Sequence, residues 1–210
     1  MSKRFKLLCV AAAVVAYSVV SVAQAAAAQF HAESTPTWLK GTQVTQNVFI
    51  VSGGSVKCSG AEFKSVTAIS SSPVSSVTVH PTYTGCSAFG QGVSVSTEGC
   101  FYTITVTSAS TGDVTIECES THSISVHGST TGCSVSVAAQ TPGSPDVDLS
   151  SGGSVSEMDI LVTPTVTGIV YSSTGGACGA SGSTGTYSGS VTVQGFGTST
   201  FSEPQGFTVF

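Results

Sequence analysis

The residues whose types and spacing best suggest chemistry are Asp146-x-Asp148-x-Ser150-x-Gly152-x-Ser154-x-x-Glu157. Their oxygens fall at positions 1, 3, 5, 9 and 12 of a calcium-binding loop, in which hard oxygen donors wrap a divalent cation and a last carboxylate closes the shell. The chain departs from that template in two ways. Ser151 stands where glycine is required for the sharp turn, and neither flank has a helical pattern. The competing reading is a solvated acidic linker running into a strand. No cofactor is expected, calcium at Asp146, Asp148, Ser150 and Glu157 being the one candidate.

Other reactive groups offer less. Glu157 and Asp159 share a strand face, as a carboxylate pair for sugar hydrolysis would, but an acidic stripe facing solvent has the same spacing. His122 and His127 are five residues apart, which puts them on opposite faces of a strand, where they cannot grip one metal. His80 precedes Pro81 at a strand end and His31 lies near the start of the mature chain. No serine sits in a GxSxG elbow, so no catalytic residue is assigned. Phe101, Trp38, Tyr83 and Phe89 are read as rings with some exposure, the last three in turn-like surroundings, that could stack on sugars.

The cysteines decide where such groups would work. Residues 1–6 carry Lys3, Arg4 and Lys6, residues 7–22 are apolar with few interruptions, and Ala23-Gln24-Ala25 offers the small-x-small pattern of a signal-peptidase site. Residues 1–25 are therefore read as a signal peptide. Cys58, Cys86, Cys100, Cys118, Cys133 and Cys178 then remain, an even number behind an export signal, which predicts disulfides. A zinc site is the alternative, but no CxxC pair exists. Connectivity stays open among fifteen possibilities.

Behind the leader, three basic residues (Lys40, Lys57, Lys64) face eleven acidic ones, a formal charge of −8. Phosphate binding needs clustered Lys or Arg to displace counterions, so no nucleic-acid partner is expected, and no anionic membrane surface either. The chain holds 37 Ser and 28 Thr with a single Asn, Asn47. Val, Ile and Phe nevertheless recur at alternate positions, and that regular supply argues for a packed core rather than disorder.

Alternation with a period of two marks strands with one buried face. It is clearest where Cys100, Tyr102, Ile104 and Val106 share one side and Thr103, Thr105 and Thr107 the other. Residues 43–51, 55–59, 74–80, 92–97, 114–119, 122–127, 133–137, 155–162, 166–171, 187–196 and 207–210 also read as strands. With a loop at 108–113, like faces pair Val106 with Val114 and Tyr102 with Cys118, which leaves Cys100 diagonal to Cys118. The predicted fold is all-β, an antiparallel β-sandwich stapled by disulfides, with two small β-domains split at Pro142 as the alternative. Five cysteines precede Pro142 and one follows it, so full pairing requires a bond across that segment. The domain plan is therefore a flexible N-terminus at 26–36 and one interlocked β-domain at 37–210 with a loop at 141–153. Phe210 invites comparison with outer-membrane barrels, but Thr208 breaks the alternation and six cysteines argue against a barrel.

The segments His80-Pro81-Thr82-Tyr83-Thr84-Gly85-Cys86-Ser87-Ala88-Phe89-Gly90, Gly99-Cys100-Phe101-Tyr102, Gly168-Ile169-Val170-Tyr171 and Gly185-Thr186-Tyr187-Ser188-Gly189 resemble a group of uncharacterised secreted bacterial proteins. The resemblance spans most of the mature chain and implies an exported, cysteine-containing β protein; it carries over no activity. Together these features predict a non-enzymatic protein, secreted or on the cell surface, structural or ligand-binding, with a cell-wall, glycan or protein partner. The alternative is a small secreted hydrolase or carbohydrate-active module.

Overall fold

The computed structural model describes residues 27–88, 90–128, 132–142, 147–151, 159–175 and 178–210. Residues 1–25, read above as a signal peptide, and Phe89, Asp146 and Glu157 lie outside these residues. The described residues form strands and no α-helix, as a chain of alternating β-branched and hydroxyl residues should. The strands are β1 (Phe30–Ala32), β2 (Trp38–Val51), β3 (Gly54–Ser65), β4 (Ser76–Ala88) and β5 (Gln91–Gly92). Then come β6 (Ser94–Ser96), β7 (Cys100–Ser108), β8 (Thr111–Cys118), β9 (Ile124–Gly128) and β10 (Cys133–Val137). The last five are β11 (Val147–Ser151), β12 (Asp159–Thr174), β13 (Gly182–Phe196), β14 (Pro204–Gln205) and β15 (Phe207–Val209).

Among the described residues every pairing is antiparallel, and the main sheet closes on itself. Its order runs β13-β2-β3-β4-β7-β8-β11-β12, and β12 pairs back onto β13. The fold is sandwich-like with both edges joined, so the ring has no free edge of its own, the liability that closure removes. Two of the three disulfides join neighbouring strands of the ring. Cys58 on β3 bonds Cys86 on β4, and Cys100 on β7 bonds Cys118 on β8. Cys133–Cys178 spans the Pro142 region, as the cysteine count required. The β7–β8 register differs from expectation by two residues. The chain turns at Ala109 and Ser110, with Ser108 opposite Thr111, so Tyr102 faces Ile116 and Cys100 lies directly opposite Cys118.

Two segments expected to be irregular contain strands. Within 26–36, β1 pairs with β15, and Phe30 is 2% exposed, stacked on Phe207 at 5.4 Å. Within 141–153, β11 joins β8 to β12, because Val147 and Leu149 alternate with Asp148 and Ser150 and bury at 2% and 3%. The β8–β11 contact is short, and Gln140 extends the closure beyond it. Its backbone exchanges hydrogen bonds with Ile116 of β8, while its side-chain amide donates to the Val170 carbonyl and accepts from the Val170 N–H of β12.

The two ends of the ring are closed differently. One end holds all three disulfides and is covered by β6, β9 and β10, whose Val126, Val135 and Val137 pack with Cys58, Cys100 and Cys178. At the other end the chain termini, β1 and β15, lay Phe30, Phe207 and Val209 against Leu39, Val77 and Ile160. That end carries no covalent staple among the described residues.

Candidate functional site

The interior of the ring is not filled solid. A cavity of about 130 Å³ remains, walled almost entirely by apolar side chains from all eight ring strands and by Phe30 and Phe207. Four polar residues break that wall: Asn47 on β2, Tyr83 on β4, Tyr102 on β7 and Tyr187 on β13. Each stands at a position where alternation points the side chain inward. Tyr102 shares a face with Cys100, Tyr83 is opposite Ala61, and Tyr187 is opposite Phe49 and Val166. Phe63 packs edge-on to Tyr83 at 6.0 Å, and Tyr83 edge-on to Tyr187 at 6.5 Å. Such pairs add order 1 kcal/mol beyond area burial.

Around Asn47 the pairing is irregular on both sides, the β2–β3 register also shifting between Thr42 and Asn47. The β2–β13 register shifts beside Gly189, and the backbone there comes so near that a Cβ on Gly189 would sit 2.6 Å from Asn47 Oδ1. Gly41 leaves room in the wall itself, since a Cβ would lie 2.8 Å from a methyl of Val191.

The polar groups form one chain. Tyr102 and Tyr83 hydroxyls are 3.1 Å apart, Tyr83 donates to Tyr187 at 3.1 Å, and Tyr187 donates to Asn47 Oδ1. Asn47 Nδ2 donates to Gln43 Oε1 at 2.5 Å, and Gln43 Nε2 donates to the Ser59 carbonyl at 3.0 Å. The last acceptor sets the direction of the rest. A carbonyl can only accept, so Gln43 must turn its NH2 to Ser59 and its oxygen to Asn47. Asn47 must then turn its oxygen to Tyr187. Each hydroxyl owns one proton, so Tyr102 must donate to Tyr83.

Burial in this apolar interior disfavours phenolate and pushes all three tyrosines up. Tyr102 rises to about 12, the hydrogen bond with Tyr83 partly offsetting its burial. Tyr83 and Tyr187 are raised as well, first through burial and next through the charge a Tyr102 phenolate would place beside them, while the Tyr83 hydrogen bond partly offsets the rise at Tyr187. At neutral pH the chain therefore holds its full set of protons. Outside the ring, Glu62 lies 3.0 Å from Lys40 and 2.5 Å from Lys64, and the hydrogen bond from Lys64 is the main reason its carboxyl is held below the usual range.

The residues that the sequence singled out lie elsewhere. Asp148 and Ser150 are exposed on the outer face of the extended strand β11, paired to β12, while Asp146 and Glu157 are outside the described residues. The six cysteines are paired, five of them buried in the core and Cys118 half-buried against it. Phe101 is on the outer face, 5.8 Å from His80. Tyr83, read as turn-like and exposed, instead faces the cavity from the middle of β4, because the strand continues unbroken through Pro81 and Gly85. Among the described residues no three His, Cys, Asp or Glu side chains gather to hold a metal. The site's signal in the sequence was polarity at core parity: three tyrosines and the chain's single asparagine occupy inward positions that Val or Ile would fill in an ordinary strand. No protein-family model, curated protein or solved structure matches this chain.

Proposed function

We propose that the protein is an exported, non-enzymatic binding protein that holds one small, largely apolar molecule inside its closed sheet. The observation carrying this reading is the apolar cavity of about 130 Å³ with a hydrogen-bonded tyrosine chain in its wall. Eight-stranded closed sheets have interiors wide enough either to be filled by side chains or to hold one small ligand. An apolar void of about 150 Å³ is known to take up benzene, so a single six-membered ring sets the scale. Three disulfides and a leader-like N-terminus support export to an oxidising compartment.

Thermal unfolding with benzene tests this. At about ten times Kd, mass action adds about 1.4 kcal/mol, a Tm rise of roughly 3–6 °C for a chain of this size. Val114→Phe, which fills the cavity from β8, abolishes the rise. An unchanged Tm across the accessible benzene range contradicts the proposal.

A further inference from the structure

Building on the binding role just described, we propose that the ligand is a small neutral ring bearing one O–H or N–H donor, and that it donates to the Tyr102 hydroxyl oxygen. The direction of the hydrogen-bond chain carries this. From Tyr102 to the Ser59 carbonyl each hydroxyl proton, and one proton of each amide, is committed to the next acceptor in the chain. Tyr102 begins the chain: its proton is committed to Tyr83, and no described group donates to its oxygen. The tyrosine chain thus shows the cavity lone pairs and no spare proton.

An alcohol, phenol or pyrrole-type N–H finds an acceptor there. A ligand whose one polar atom is an acceptor finds no free hydroxyl proton on the three tyrosines, in an apolar enclosure where polar discrimination is strongest. Among the described residues no cationic side chain lines the cavity, so a carboxylate is refused as well. The specificity is set outside the cavity, by Gln43, which is half-buried and reaches the Ser59 carbonyl. Removing its side chain frees Asn47 to turn over. Asn47 Nδ2 can then donate to Tyr187, the chain can reverse, and Tyr102 gains a proton to offer the ligand.

The test uses three rings of similar size: pyrrole, which donates; pyridine, which accepts; and benzene, which does neither. Each is titrated calorimetrically into the full disulfide-bonded chain at neutral pH. Pyrrole is expected to bind at least about fivefold tighter than pyridine, the worth of one net hydrogen bond. In Gln43→Ala that ratio falls to near one or inverts. Tyr83→Phe is the second variant; it cuts the chain beside Tyr102, frees the Tyr102 proton and lowers the ratio in the same sense. A merely structural role for these residues would weaken all three ligands together. Equal binding of pyrrole and pyridine to the unsubstituted protein, with benzene bound, overturns the donor inference and leaves the binding role standing. A ratio unmoved by both variants overturns it too. Failure of all three rings to bind overturns both.

Discussion

The hydroxyl of Tyr187 donates to Oδ1 of Asn47 across 140 residues of sequence, and it does so in the wall of a cavity lined mainly by apolar side chains. β13 and β2 are neighbours in the ring, so this contact joins the last long strand to the first. Asn47 is 2% exposed and bonded on both ends of its amide. Asn47→Ala removes an acceptor from Tyr187 and a donor from Gln43 at once. Leaving the Tyr187 hydroxyl without its acceptor costs about 1–3 kcal/mol, while half-buried Gln43 can turn to water, so urea unfolding is expected to show a loss of about 1–3 kcal/mol. A loss under 1 kcal/mol would mean that the chain contributes nothing to stability.

Alkaline stability follows from the same groups. Tyr102 titrates at about 12 in the folded protein, against about 10 in an unfolded chain. The folded value is the higher one, so the stabilisation is complete below pH 10 and is lost as pH rises from 10 through 12, where the unfolded state releases its proton first. Tyr83 and Tyr187, also raised, steepen the loss. Denaturant midpoints measured between pH 9 and 12 are expected to fall, and to fall less steeply in Tyr102→Phe. Identical slopes in the two proteins would refute the assignment.

The disulfides are expected to rank by the loops they close. Cys133–Cys178 spans 45 residues and Cys100–Cys118 spans 18, so paired substitution to alanine should cost about 4 and about 3 kcal/mol by loop entropy alone. Chemical denaturation of the two double variants measures the order; the reverse order would show that native packing, not loop length, decides it.

Hydrogen exchange should separate the two ends of the ring. The staples bind one end covalently, while β1 and β15 hold the other through a three-residue pairing and the Phe30–Phe207 stack. Exchange at Phe30, Ala32 and Val209 is expected to be faster than at Cys58, Ile116 and Val135, and Phe30→Ala should speed it further while costing about 3–5 kcal/mol. Equal protection at both ends would contradict this picture.

The strands themselves were legible because alternation is local: the inward set Cys100, Tyr102, Ile104 and Val106 follows from β7 alone. Register was not. Whether Cys100 faces Cys118 or sits diagonal to it turns on two residues, Ala109 and Ser110, and both alignments keep like faces together. Ring closure was hidden in β11, whose Val147 and Leu149 are set among prolines and aspartates that signal a loop. The tyrosines were visible as residues but not as a site, since Tyr83, Tyr102 and Tyr187 meet only once β4, β7 and β13 have curled into one ring.

Xenon bound under pressure in crystals tests the central claim most directly, because it reports a dry, accessible apolar cavity without requiring the right ligand. A xenon atom is expected inside the ring, beside Phe63, Tyr102 and Ile104, and is expected to be absent in Val114→Phe. Crystals that take up xenon only on the outer surface, with the interior filled by side chains, would contradict it.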